Sequence, residues 1–194
     1  FTITSEDKKT AARTGALKTR HGVLTTPLFL PIATKGTVKN ITPHELERAN
    51  TQALIANAFL LYLRPGLSII KKFGGLHKFI HWDHGIFTDS GGFQILSKQF
   101  LRSINDNGVS FHNPYTRKNE RFTPEKVMKI EETLGSDIAM TLDHVPPSNQ
   151  TYATVQEAVR RTHLWAQRCV KAHTDTKQLL FGITQGAIYK DLRE

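Results

Sequence analysis

Residues 88–94 read Thr-Asp-Ser-Gly-Gly-Phe-Gln, the densest concentration of usable chemistry in the chain. Asp89 ends a short apolar run and supplies a carboxylate. Gly91 and Gly92 lack a Cβ, so the backbone there can approach a flat ligand and offer N–H donors. Ser90 adds a hydroxyl, and Phe93 offers a face on which a planar base can stack. The same residues also suit a plain turn in which Asp89 caps the strand end. Asp143, ahead of His144-Val145-Pro146-Pro147, and Gln185, ahead of Gly186, close two further apolar runs. A carboxylate accepts two N–H donors and an amide donates to a carbonyl oxygen, so Asp143 with Gln185 matches the edge of a guanine-type base. Singly, each is more often a strand-end cap; three on successive strand ends point to a site.

Other reactive side chains carry less. His77, His81 and His84 have spacings that could hold zinc on a helix, but Trp82 and Gly85 read as loop, and only Asp83 could complete the set. We therefore expect no metal site in this chain. Cys169 falls on an apolar helical stripe and reads as packed core. Basic residues recur in small groups (Lys8 and Lys9; Lys71 and Lys72; Arg117, Lys118 and Arg121; Arg160 and Arg161) without interleaved aromatics, as solvated faces do.

The elements that must position these residues alternate from about residue 50. Runs at 53–57, 85–89, 137–143 and 179–185 are continuously apolar and end in Asn57, Asp89, Asp143 and Gln185. Such runs suit strands of a parallel sheet buried on both faces. Thr42-Pro43-His44-Glu45 opens a helix with a capping box. Thr123-Pro124-Glu125 opens another, with Val127, Ile130 and Leu134 on one stripe, and Thr154 opens a third through Cys169. Residues 93–122 read as a β-hairpin insertion, and 1–33 as strands of a hairpin punctuated by Gly15, Gly22, Pro27 and Pro31. Strands that alternate with helices and carry polar residues at their C-terminal ends make an α/β fold. A (β/α)8 TIM barrel takes typically ~250 residues. This chain of 194 residues supplies about four units, the front half of one barrel domain: 1–50 the hairpin and first helix, 51–194 the first barrel strands and helices.

Composition bounds the rest. With 39% hydrophobic residues the chain is an ordinary globular one, neither disordered tail nor fibre. One cysteine excludes an internal disulfide and fits a reducing compartment. No apolar run reaches the ~20 residues of a membrane span, and the charged start (Glu6, Asp7, Lys8, Lys9) is no signal peptide. We expect a cytoplasmic protein. A net charge of +9 suits a polyanionic partner without choosing among tRNA, DNA and acidic lipid.

Together these residues resemble the tRNA-guanine transglycosylases, also called queuine tRNA-ribosyltransferases. The resemblance runs over roughly residues 13 to 193. It includes Gly15-Ala16-Leu17, Thr19-Arg20-His21-Gly22, Thr26-Pro27-Leu28-Phe29-Leu30-Pro31, Leu63-Arg64-Pro65-Gly66, Gly75-Leu76-His77 with Trp82, the stretch 88–94, Leu134-Gly135-Ser136-Asp137-Ile138, Asp143 and Gln185-Gly186. The resemblance implies a TIM barrel that exchanges the tRNA wobble guanine for a 7-deazaguanine (preQ1, queuine or preQ0). It implies Asp89 as general acid/base, Ser90, Gly91, Gly92 and Phe93 as the wall of the base pocket, and Asp143 with Gln185 as readers of the base edge. The target nucleotide leaves its stack to react.

Two departures stand out. The family's Asn-Thr-Tyr-His-Leu on the first barrel strand is Asn57-Ala58-Phe59-Leu60-Leu61 here. The aspartate nucleophile and a structural zinc site of three cysteines and a histidine belong beyond residue 194. The expectation is therefore a fragment inactive alone, without a cofactor of its own. The alternatives are a non-catalytic partner subunit that joins a second copy or complementary chain, and a related enzyme acting on DNA.

Overall fold

The computed structural model describes residues 1–97 and 99–194. It opens with β1 (Thr2–Glu6), β2 (Arg13–Thr19) and β3 (Gly22–Thr26), an antiparallel sheet in that order. The N-terminal hairpin expected from the glycines is thus a three-stranded sheet, its outer strand β1 exposed along its length. Helix α1 (Pro43–Arg48) carries the anticipated capping box: the Thr42 hydroxyl accepts from Glu45 N–H, and the Glu45 carboxylate accepts from Thr42 N–H.

Strand β4 (Ala53–Asn57) leads into α2 (Ala58–Leu63), α3 (Leu67–Phe73) and α4 (Leu76–Ile80), and β5 (Gly85–Asp89) into the short α5 (Gly92–Ile95). A second antiparallel sheet follows, β6 (Leu101–Asn105), β7 (Gly108–His112) and β8 (Asn119–Phe122), and then α6 (Pro124–Leu134), β9 (Ile138–Met140), α7 (Tyr152–Ala172) and β10 (Leu179–Phe181). β4, β5, β9 and β10 form one parallel sheet in the order β10-β9-β5-β4. The α/β class with a parallel sheet is as expected.

Several boundaries differ from the sequence reading, each for a local reason. The insertion at 93–122 contains the expected hairpin, β7 paired with β8, but adds a helical turn and a third strand, because Leu101–Asn105 pairs on the other side of β7. Residues 58–61 are helix, started by Asn57, whose side chain accepts from Leu60 N–H at 2.7 Å. Helix α7 begins at Tyr152 rather than 154, with Thr151 as its cap. β9 and β10 are shorter than the apolar runs, so Asp143 and Gln185 lie on the loops just past them. Pro31–Thr34 also joins the sheet: Ile55 N–H donates to the Pro31 carbonyl, Ala33 N–H to Ile55 and Asn57 N–H to Thr34. Pro31, which has no N–H to donate, contributes only its carbonyl to this pairing.

The sheet's two faces bury different layers. Ala53, Phe87 and Ile138 turn inward, with Leu24 of β3 packed on them and Leu28, Leu30, Ile55 and Met140 at the margins. Leu54, Ala56 and Ile86 turn outward under the helices. Val127, Ile130 and Leu134 of α6 and Trp165 and Cys169 of α7 are buried there, as their spacing predicts. Phe59, Phe111 and Phe122 stack edge-to-face with centroids 5.2–5.5 Å apart, fastening the second sheet to α2 beneath the Asp89 loop.

Candidate active site

Parallel pairing sets the site's register. β4 and β5 pair residue for residue, ending with Asn57 beside Asp89. Asn57 Nδ2 donates to Asp89 Oδ1 at 2.8 Å, and Gly91 N–H donates to the same oxygen at 3.1 Å. Asp143 is nearly buried, at 5% exposure. Gln185 Nε2 donates to Asp143 Oδ2 at 2.8 Å, and the Ser90 hydroxyl lies 3.5 Å from Oδ1. Ser90, Asp143 and Gln185, far apart in sequence, thus meet beside the Asp89 loop.

The two glycines are required by contact. A Cβ on Gly92 would lie 2.3 Å from Asp143 Oδ1. A Cβ on Gly91 would lie 2.2 Å from the Phe59 Cβ, and Gly91 also sits at φ 74°, a conformation glycine adopts without steric cost. The loop therefore lies against Asp143 on one side and the aromatic cluster on the other.

Burial governs the acidity of both carboxyls. It pushes the Asp89 carboxyl up to about 6; the hydrogen bonds from Asn57 and Gly91 oppose the rise and the nearby Asp143 charge adds to it. Burial also raises Asp143, against the hydrogen bonds from Gln185 and Ser90. A carboxyl near neutrality can give and take a proton at physiological pH. A cavity of about 170 Å³ opens onto Asp89, lined also by Thr34, Ile55, Asn57 and Gln94. Phe93 is 71% exposed, its ring free to receive a flat ligand.

The histidine reading needs revision. His77 lies on α4, not in a loop. Its ring stacks on His21, and its Nε2 donates to Asp137 and to the His84 backbone carbonyl. Its imidazole is thus grouped with His21 and Asp137 rather than with the rings of His81 and His84. The three could surround a cation. Asp137, however, already accepts from His21 N–H, His21 Nδ1, His77 Nε2 and Ile86 N–H, all within 3.0 Å. Its oxygens are thus taken up by hydrogen bonds that tie the β2–β3 turn and α4 to the start of β9. This is a cross-link at the end of the sheet opposite Asp89.

A family model described as queuine tRNA-ribosyltransferase matches residues 7–194. The chain belongs to the queuine tRNA-ribosyltransferase family. A Prochlorococcus marinus protein named queuine tRNA-ribosyltransferase is 48% identical over 194 residues, all of this chain and 52% of that protein. A Thermoanaerobacter protein of the same name is 48% identical over 195 residues, and one from Caldanaerobacter subterraneus 47% over 194, with the same shares covered. The chain spans about half the length of these relatives. Among the described residues, no helix is long and apolar enough to cross a membrane.

Within this member of the queuine tRNA-ribosyltransferase family, the sequence reading overlooked two residues that touch the site. Asn57 was legible as the polar end of an apolar run, but its bond to Asp89 depends on register. Gln94 was read only as the end of the loop motif, yet it shares the cavity beside Asp89.

Proposed function

We propose that this chain is the base-recognising half of a (β/α)8-barrel tRNA-guanine transglycosylase that exchanges the wobble guanine of tRNA for a 7-deazaguanine. The observation that carries this is the convergence of Asp89, Asp143 and Gln185 at the C-terminal side of one parallel sheet. In this reading Asp143 accepts the ring N–H and amino group of the base. Gln185 swings its amide from Asp143 to the base oxo group, and Phe93 covers the ring. Ser90, Gly91 and Gly92 form the wall against which the base slides.

The chemistry is a double displacement. The ribose C1′–N bond breaks while an aspartate from the remaining half of the protein bonds to C1′, and Asp89 delivers its proton to the departing guanine. The incoming base then gives a proton to Asp89 as its nitrogen displaces the aspartate. The family resemblance implies an aspartate nucleophile and a zinc site of three cysteines and a histidine in that other half, and Cys169, the single cysteine here and buried in the core, cannot supply three thiolates. The +9 charge suits tRNA. In this reading the remaining strands belong to a complementary stretch of polypeptide; a second copy of this chain would bring only another Cys169 and could not supply the zinc site.

The test is incorporation of labelled guanine into tRNA. The isolated chain is expected to give none, and the complete protein robust exchange. Asp89→Ala in the complete protein should lower exchange by about 10²–10⁴-fold, the usual worth of a general acid/base. Near-normal exchange by that variant removes Asp89 from its role.

A further inference from the structure

Directly behind the Asp89 loop, on the helix side of β5, lies a polar cluster that the proposed chemistry does not use. Thr88 alternates away from Asp89 and points into the layer under α6 and α7. Its hydroxyl donates to Glu131 Oε2 and meets Ser136 Oγ at 2.5 Å. Gln178 Nε2 donates to Ser136 Oγ at 3.2 Å, to the Ser136 carbonyl at 2.9 Å and to the Glu131 carbonyl at 3.1 Å. Thr88, Glu131 and Ser136 are fully buried. Glu131 Oε1 finds no partner among the described residues.

An ionised carboxylate with one oxygen unpaired and no facing cation carries a heavy desolvation cost, whereas the neutral acid leaves only a weak acceptor or donor unmet. Among the described residues, the titratable groups that face Glu131 are Asp89 from β5 and Cys169 from α7. Neither supplies positive charge. Burial, foremost, and the Asp89 charge hold Glu131 far above the usual carboxylate range, against the hydrogen bond from Thr88. The adjacent Glu132 does the opposite: it faces out and caps the loop after α7 by accepting from Thr174 N–H and Asp175 N–H. Two neighbouring glutamates on one helix thus have different tasks.

We propose that Glu131, as a neutral acid, is a positioning residue that grips Thr88 from the helix side and so fixes the strand end that presents Asp89. Asn57 restrains the Asp89 carboxyl itself; Glu131 restrains the backbone one residue before it. The proposal deepens the reading of Asp89 as the acid/base group and rests on it.

The experiment follows the Asp89 side-chain carboxyl by ¹³C NMR through a pH titration of the 194-residue chain, in wild type, Glu131→Gln, Glu131→Leu and Thr88→Val. Glutamine keeps the shape of the neutral acid and an acceptor for Thr88, so Asp89 should titrate as in wild type, near 6. Leucine and valine each remove one partner of the grip. Asp89 should then titrate lower by about half a pH unit or more, as the loosened strand end admits water. If the leucine variant does not fold, the nearly isosteric valine variant decides. An unchanged Asp89 midpoint in a folded Leu or Val variant overturns the positioning role. A second measurement tests the neutral state without reference to Asp89. From about pH 4.5 upward, the folding constant of Glu131→Gln should gain on wild type by about tenfold per pH unit until Glu131 ionises. Parallel stability curves would show that Glu131 is charged and overturn the proposal. A wild-type Asp89 midpoint near 4 would instead count against the acid/base reading, so the two failures are distinguishable.

Discussion

At the scale of single residues, the site holds a carboxyl in an environment that resists its charge. Asp89 has a folded-state pKa raised to about 6 from an ordinary 3.8. The group therefore contributes stability that is fully present below about pH 4 and is lost as pH rises through 6. At pH 7.5 the folded state bears a cost of up to about 3 kcal/mol for keeping Asp89 ionised. Asp89→Asn should remove that cost: we expect a gain of about 1–3 kcal/mol in urea unfolding at pH 7.5 and little gain at pH 4. A destabilised Asn variant at pH 7.5 would show that the carboxylate is held by its hydrogen bonds more strongly than burial opposes it. Gly92 makes a complementary case. Its missing Cβ is what lets the loop lie against Asp143, so Gly92→Ala should displace Asp143 and weaken guanine binding by the complete protein by at least about tenfold, while costing only about 1–2 kcal/mol of stability. Equal affinity in equilibrium dialysis would mean that the loop and Asp143 do not form one wall.

At the scale of elements, the strands fix where the polar ends fall, and a second set of bonds fixes the strands. Asp137, before β9, holds the β2–β3 turn through His21 and α4 through His77. Since Asp137 accepts, His21 carries its ring proton on Nδ1 and His77 on Nε2. Burial alone would raise the Asp137 carboxyl; hydrogen bonds from His77, Ile86 N–H and His21 more than reverse that and hold it well below the usual range. A depressed acid stabilises above its unfolded pKa near 4, and that stability is lost as pH falls toward the folded value. Asp137→Ala strands several buried donors, so it should cost about 3–5 kcal/mol at pH 7, and the gap to wild type should narrow on acidification. A cost below about 1 kcal/mol would make the cross-link incidental. The element scale also separates what the sequence discloses from what it hides. Thr42-Pro43-His44-Glu45 and Thr123-Pro124-Glu125 announce their helices because capping is local chemistry, and the stripe from Val155 to Cys169 announces a buried face. Asp89, Asp143 and Gln185 were legible because apolar runs stop at them. By contrast, the apolar pattern does not announce Leu101–Asn105 as a third strand on β7, and Pro31–Thr34 lies along β4 only because that strand offers a free edge. The partnership of His77 with His21 and Asp137 spans more than a hundred residues, and no spacing rule reaches that far. Glu131 beside Glu132 looks like any helical acidic pair until the packing shows which one is buried.

At the scale of the whole molecule, a parallel sheet that is covered along one margin remains open along the other. Beyond β4 the segment Pro31–Thr34 satisfies the edge. Beyond β10 no further strand pairs among the described residues, and Phe181 is 38% exposed at that margin, with Phe29 81% exposed elsewhere on the surface. Unpaired strand groups beside exposed apolar side chains form a template for association. The chain's charge opposes this: at +9, two copies repel one another at low ionic strength. The two forces respond oppositely to salt. At about 0.5 M salt the Debye length falls to about 4 Å and repulsion is screened, while apolar burial and strand pairing persist. Light scattering on the isolated chain should therefore show mass rising with concentration, and rising further with salt. Phe181→Lys, which places a charge on the open edge, should restore the monomer at the same concentrations. Association that weakens with salt would instead point to ion pairs between copies. A monomer under every condition would mean that the β10 edge is already satisfied, and a separate half would then have no edge to join.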